Sequence, residues 1–281
     1  MVTIGIILIF SSLLVAQNAV SVGGLTAILM YNHMLTDPLL NLLQINSKLM
    51  KLFVSMKRVM KLDEIPKEKQ INMIDPDEIE LKNITYSIEE KVILENINIK
   101  LRKPSSVGII GQTGSGKTTL VNLITNLYTI QKGEIIYKKE NHRIYGNPRV
   151  SYMLQDEYLF DDTIKNNIFI GNPYLTKERY QHLIKICKLE DVMIHHPNAI
   201  GENGNKLSGG ERKRVLLART LAESSAGIYI FDELSSGLDQ KTFQEIFDEI
   251  EIFLKDKIRI YIEHNTAISH MTDTIIPIDK A

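Results

Sequence analysis

"SSVGIIGQTGSGKTTLVNLITN", residues 105–126, decides how the fold is read. A short apolar run ends at Ile110. Gly111, Gln112, Thr113, Gly114, Ser115, Gly116, Lys117, Thr118 and Thr119 follow, and then an amphipathic segment with Leu120, Leu123, Ile124 and Leu127 on one side. Strand, glycine loop, helix is the context that a phosphate-binding P-loop needs. Glycines let consecutive backbone N–H groups turn inward around phosphate oxygens. The helix N-terminus adds positive potential. Lys117 would neutralise β- and γ-phosphate charge, and the Thr118 hydroxyl would ligate Mg²⁺.

"GIYIFDELSSGLD", residues 227–239, supplies a second half. Ile228 to Phe231 is a run of apolar residues, as expected of a buried parallel strand. Asp232 and Glu233 stand at its carboxyl end, where ligands bind in open α/β sheets. Two adjacent acids can divide the work: Asp232 holding Mg²⁺ through its waters, Glu233 orienting and polarising an attacking water. An acidic pair alone is usually solvated surface; after an apolar strand and a P-loop it points to phosphate chemistry.

"KLSGGERKR", residues 206–214, narrows the family. Leu207, Ser208, Gly209, Gly210 and Glu211 resemble the signature motif of ABC ATPases. Physically the stretch is a second anion site: a small hydroxyl, two glycines and the start of a helix bearing Arg212, Lys213 and Arg214. Other elements resemble that family in its own order. Gln155 in "VSYMLQDEYLF" resembles the Q-loop glutamine, which implies contact with Mg²⁺ and with a membrane domain. "LFDDTIKNNIFIG" resembles the opening of the helical subdomain. "IGENGNKLSGG" resembles the exporter form of the stretch before the signature, with Glu202 in the inter-domain loop. Ser236, Gly237, Leu238 and Asp239 resemble the D-loop, and His264, after the apolar "IRIYI", resembles the switch histidine on the γ-phosphate. His195 and His196 have no ligand-like partners and read as surface.

The chain opens differently, with no formal charge before Asp37. Met1 to Ala16 would make about 24 Å of helix. Gln17, Asn18, Ser21, Gly23 and Gly24 make a polar break, and Leu25 to Ile45 is long enough to span a bilayer, interrupted by Asp37 and Pro38. A signal peptide would need a basic start, and the first lysine is Lys48. Lys48, Lys51, Lys57, Arg58 and Lys61 put the far end of the second run in the cytosol. Leu42, Ile45, Leu49, Leu52, Met56 and Val59 form a heptad-like seam, so the helix is expected to run on and pack on a partner; an ordinary amphipathic core helix has the same stripe. "DEIPKEKQINMIDPD", residues 63–77, reads as a linker. "LTDPLLNLLQINSKLMKLFVSMKRV", residues 35–59, resembles the last transmembrane helix of an ABC exporter half-transporter, and also resembles peptide and bacteriocin exporters.

The resemblance spans essentially the whole chain. It implies an α/β P-loop NTPase fold of ABC type over residues 78–281, a RecA-like core with antiparallel β and α-helical subdomains, the helical one at about 156–207. Residues 1–62 would be a partial transmembrane domain, an all-α hairpin whose second helix extends into the cytosol of a multi-pass protein of the cytoplasmic membrane. ATP and Mg²⁺ would bind at Gly111 to Thr119. Two modules, identical or from another half-transporter, would close head to tail, each giving Ser208, Gly209 and Gly210 to the other's γ-phosphate. Membrane lipid and a transported substrate, possibly a peptide, are the implied partners.

Three features depart from the family: room for about two membrane helices in place of six; "DTIIPIDKA", residues 273–281, as the last stretch, where a further strand and helix usually follow; and Ile88 where an aromatic usually stacks on adenine, with Tyr86 the nearest ring. The chain therefore resembles a fragment or truncated product. Lys and Arg number 33 against 34 Asp and Glu, a net charge of −1, which gives no support for nucleic acid as a partner. Cys187 is the sole cysteine, compatible with a reducing compartment. A regulatory or inactive ABC remnant is one rival reading. A non-transport ABC ATPase of DNA repair or translation is another, opposed by the charge-poor start.

Overall fold

The structure, a computed structural model, describes residues 21–63, 72–264 and 266–279, together with Phe10, Leu13 and Gln17. It divides into two units, Met1–Lys69 and Gln70–Ala281. Most of the first apolar run, residues 1–16, lies outside the described residues.

In the first unit a long helix, α1, runs over Val22–Asp63 and through Pro38. It starts earlier than the polar break suggested, because the Ser21 Oγ accepts a hydrogen bond from the Gly24 N–H at 3.1 Å and so caps the first turn. At 1.5 Å per residue it is about 63 Å long. Leu42, Ile45, Leu49, Leu52, Met56 and Val59 are all exposed. Among the described residues no helix is long and apolar enough to cross a membrane. The expected span at Leu25–Ile45 falls short because Asn32, His33, Asp37, Asn41 and Gln44 dilute it.

The second unit is mixed α/β. An antiparallel sheet in the order β3-β2-β5-β6 joins β2 (Glu78–Ile88), β3 (Lys91–Arg102), β5 (Lys132–Lys139) and β6 (His142–Ile144). A parallel sheet in the order β11-β4-β10-β9-β8 joins β4 (Ser105–Ile110), β8 (Val150–Met153), β9 (Ile228–Asp232), β10 (Ile258–Glu263) and β11 (Thr274–Pro277). Every residue of β9 and β10 is buried, which is why they read as mainly apolar; within β10 the exception is Arg259, whose guanidinium pairs with Glu251 at 2.9 Å. Side chains alternate across a strand, and the parallel sheet accordingly separates two cores. Tyr229, Phe231 and Tyr261 face one with the helices; Ile228, Ile230, Ile258, Ile260 and Ile262 face the other with the antiparallel sheet.

Six α-helices complete the unit among the described residues: α2 (Lys117–Ile124), α3 (Ile164–Phe169), α4 (Lys177–Ile186), α5 (Glu190–His195), α6 (Gly209–Ala222) and, after β9, α7 (Gln240–Phe253). The three short helices fall within the expected helical segment. The Arg219 guanidinium of α6 secures it, donating to the Asn167 carbonyl, the Asn167 Oδ1 and the Tyr158 carbonyl at 2.7–2.9 Å.

Two expectations need correction. Leu127 is not on the helix that follows the P-loop. Asn126 takes a left-handed φ of 59°, and the Asn126 and Leu127 N–H groups bond back to Leu123 and Asn122, a closure that ends the helix and leaves Leu127 exposed. The residues at 72–77 are also not free linker. Met73–Ile74 (β1) pairs with Asn147–Pro148 (β7), and Ile74 is buried.

Candidate active site

β4 delivers the chain into the glycine loop at the carboxyl end of the parallel sheet, and α2 leaves it. Gly116 caps α2 with φ 103° and no side-chain hydrogen bond, so the first N–H groups of the helix face the loop without a capping oxygen. A Cβ on Gly116 would also crowd Ile93 and Leu94 at 3.0 Å. Lys117 is buried, 6% exposed. Its ammonium donates to the carbonyls of Gly111 and Gln112 at 2.7 and 3.0 Å and to His264 Nδ1 at 3.2 Å. The other ring nitrogen, Nε2, faces the Glu233 carboxylate. Gln155 Nε2 donates to the other Glu233 oxygen at 2.8 Å. Lys117, His264, Glu233 and Gln155 thus form one chain of contacts.

Burial pushes the Asp232 carboxyl above the ordinary carboxylate value, and the Glu233 charge beside it adds to this, against Lys117, Lys213 and His264. Burial pushes the Lys117 ammonium down, against Asp232 and Glu233. Each group is held partly away from its charged form by desolvation.

A cavity of about 310 Å³ gathers Ile88, Ile93, Thr113, Gly114, Gly116, Lys117, Thr118, Thr119, Gln155, Asp232, Glu233, Ile262 and His264. Gly111, Gln112 and Ser115 belong to the same loop but do not line it. Gly114 has open space around it, and Ser115 Oγ is buried without a hydrogen-bond partner among the described residues. An uncapped helix start, a buried ammonium, an orphaned hydroxyl and an open glycine fit phosphate oxygens. Thr118, Gln155 and Asp232 offer the oxygen donors that suit Mg²⁺.

Two side chains separate here. Residues two apart in a regular strand share a face, which would point Tyr86 and Ile88 the same way. The pairing of β2 with β3 is irregular between Tyr86 and Ser87, and a bulge breaks that alternation. Tyr86 packs on the second core and stacks on Tyr128 at 5.7 Å; Ile88 lines the cavity.

Ser208, Gly209, Gly210 and Asp239 do not line this cavity. Ser208 caps α6 in a capping box: its Oγ accepts from the Glu211 N–H at 3.3 Å, and Glu211 Oε2 accepts from the Ser208 N–H at 2.8 Å. Gly209 is open to its surroundings, and a Cβ on Gly210 would meet the Gly237 carbonyl at 2.7 Å. Asp239 caps α7 through the Thr242 N–H at 3.0 Å.

A family profile described as ABC transporter matches residues 94–236, from β3 through the turn after β9. This chain belongs to the ABC transporter family. What it carries is the ATP-binding part of that family. It is 30% identical over 266 residues to an ATP-dependent lipid A-core flippase of Syntrophus aciditrophicus (strain SB), covering 88% of this chain and 43% of that protein. It is 31% identical over 298 residues to the lactococcin-G-processing and transport ATP-binding protein LagD of Lactococcus lactis subsp. lactis, covering 98% and 41%. A bacterial Atm1-family ABC exporter with ATP bound superposes with a TM-score of 0.70 at 25% identity, covering 93% of this chain and 48% of that one. The chain spans less than half the length of these relatives.

Sequence reasoning passed over Ile93 and Ile262 in the cavity wall of this ABC module, and over Glu263. A carboxylate closing the apolar run of β10 was a signal for the last; the other two look like any core isoleucine.

Proposed function

We propose that this chain binds and hydrolyses MgATP at the cavity between the glycine loop and the carboxyl ends of β9 and β10, and that hydrolysis powers export across the cytoplasmic membrane. The glycine loop with Lys117 would hold the phosphates, and Ile88 would pack on the base. Thr118, Gln155 and Asp232 would hold Mg²⁺, which supplies neutralisation of charge on the β- and γ-phosphates. Glu233 would orient the attacking water, and His264, bridging Lys117 and Glu233, would report the γ-phosphate to both. The bacteriocin-exporter likeness of residues 35–59 and the LagD relative favour a peptide cargo. The multi-pass membrane placement rests on the relatives and on the apolar opening of the chain.

The observation that carries the dimer is the separation of Ser208–Gly210 from the cavity. The capped start of α6 has Gly209 exposed and unobstructed and no phosphate site of its own chain to serve. A second copy, or another half-transporter, would bring its phosphates there, with Asp239 beside the junction. Mixing tests this. In a heterodimer of Lys117→Ala and Ser208→Arg chains both defects fall on one composite site and leave the other whole. ATPase activity above either parent is expected. Confirmed heterodimers with no such gain would sink the head-to-tail arrangement.

A further inference from the structure

Glu233 sits in a left-handed backbone conformation, φ 52°, a region costly to a residue with a side chain. Something must hold it there. Its N–H donates to the Ile262 carbonyl of β10 at 2.9 Å. Its carbonyl accepts from the Lys213 ammonium of α6. Two residues on, the Ser235 N–H and hydroxyl donate to the two carboxylate oxygens of Glu263 at 2.9 and 2.7 Å. Glu263 is 3% exposed. Neither Lys213 nor Glu263 lines the cavity, and neither has a part in the phosphate, metal or base contacts above.

We propose that Lys213 and Glu263 are positioning residues that grip the Glu233–Ser235 turn from two sides, one from the signature helix and one from the strand that leads into His264, and so fix where the Glu233 carboxylate points. This rests on the reading of Glu233 as the group that orients water. Both contacts reach the chain's own turn, so they govern its path and not substrate binding. The charges suit the task. Burial pushes the Glu263 carboxyl up, and the Ser235 bonds and the Lys213 charge pull it back. Burial pushes the Lys213 ammonium down, and Glu263 is foremost among the carboxylates opposing this. Each charge makes the other tolerable so close to the site, where a single unpaired one would be expensive.

The turn also links two reporters. It follows the strand carrying Asp232, and it leads through Ser236 and Gly237 to Asp239. The next residue after Glu263 is His264. A loosened turn would therefore misplace Glu233 while leaving the phosphate loop intact, and a displacement on the order of 1 Å costs about 100-fold in rate.

The experiment compares Glu263→Ala, Glu263→Gln, Lys213→Met and Glu233→Gln in the full chain, reading kcat and KM for ATP hydrolysis and the melting temperature of each. Glu263→Ala and Lys213→Met should lower kcat about tenfold or more with KM within about twofold. Glu263→Gln, which keeps an acceptor for the Ser235 N–H, should recover most of the loss. Wild-type kcat in Glu263→Ala and Lys213→Met beside an inactive Glu233→Gln would overturn the grip alone. Turnover in Glu233→Gln would overturn the reading it rests on. Glu263→Gln as impaired as Glu263→Ala, with KM and melting temperature shifting alongside kcat, would make the carboxylate a fold element only. Should Glu263→Ala not fold, Lys213→Met, at a partly buried position, decides alone.

Discussion

The carboxyl end of the parallel sheet and the foot of the antiparallel sheet each gather charge around a cavity, of about 310 and 300 Å³. They treat that charge in opposite ways. At the foot, Glu78 accepts from Arg102 Nε at 2.7 Å and Lys138 Nζ at 2.8 Å and lies 3.1 Å from Lys100 Nζ. The Lys138 bond, with help from Arg102 and Lys100, holds its carboxyl down to about 2. Lys138 is pushed up in turn by Glu78 and Glu80. At the sheet's carboxyl end the shifts reverse: burial raises Asp232 and lowers Lys117. A network whose charges satisfy one another has finished its work in the fold. A cluster that is desolvated and still uncompensated gains when a ligand brings its own charges. Two cavities of nearly equal size therefore differ in kind, and the pKa directions separate them where volume does not.

The largest test of that contrast is Glu233→Gln. It removes the carboxylate that contacts both Gln155 and His264 yet keeps the size of the side chain. Loss of a positioned base costs about 10²–10⁴ in rate, so turnover should all but vanish while binding of a fluorescent ATP analogue persists. The closed ATP-bound dimer should then accumulate on a sizing column, because disassembly would need hydrolysis. Unchanged ATPase would remove Glu233 from the chemistry.

The local parts of this site were legible in the sequence, and the reasons are physical. A glycine loop, an apolar strand ending in two acids and a serine-capped helix each declare themselves within about ten residues, because backbone sterics and hydrogen bonding act at that range. The parallel strands were legible too, since burial on both faces leaves "IYIF" without a charge and "IRIYI" with only Arg259, which is buried and paired with Glu251. What the sequence hid depends on distant pairing. Ile74 is buried only because Met73–Ile74 finds Asn147–Pro148. Glu263 grips Ser235 and Lys213 grips Glu233 across 28 and 20 residues. The end of α2 was a local signal read too weakly: Asn126 tolerates a left-handed φ, and that alone cuts Leu127 from the helix.

The next test concerns the base. The bulge after Tyr86 separates two side chains that a regular strand would have put on one face. Ile88 offers the base a contact surface without a π system. Stacking of a base on an aromatic ring is worth about 1–3 kcal/mol by alanine substitution. Ile88→Tyr should therefore tighten ATP binding, by about tenfold if the gain is ~1.4 kcal/mol, and GTP should benefit similarly because both bases offer a face. Tyr86→Ala should leave affinity nearly unchanged, since that ring is engaged with Tyr128. Titration of both variants with both nucleotides decides the register, and a loss confined to Tyr86→Ala would reverse it.

The smallest effect is the one that tests the other cavity. Glu78 has a folded pKa of about 2 against an ordinary value of 4.5. Its folded-state value is depressed, so the stability it contributes is fully present above about 4.5 and is lost as pH falls toward 2. Glu78→Gln deletes this contribution and leaves Lys138 its bond to Glu80 at 2.9 Å. Ion pairs open to solvent are worth about 1 kcal/mol or less, which is about 2–4 °C in a domain of this size. The variant should thus melt slightly lower near neutral pH, and the gap should hold down to about 4.5 and then close as pH falls toward about 2. ATP turnover should not change, because the network neither lines the phosphate cavity nor contacts it. A gap constant with pH would mean that Glu78 acts through shape and not charge. A fall in turnover at unchanged stability would break the contrast itself, since a self-satisfied network would then be serving the site.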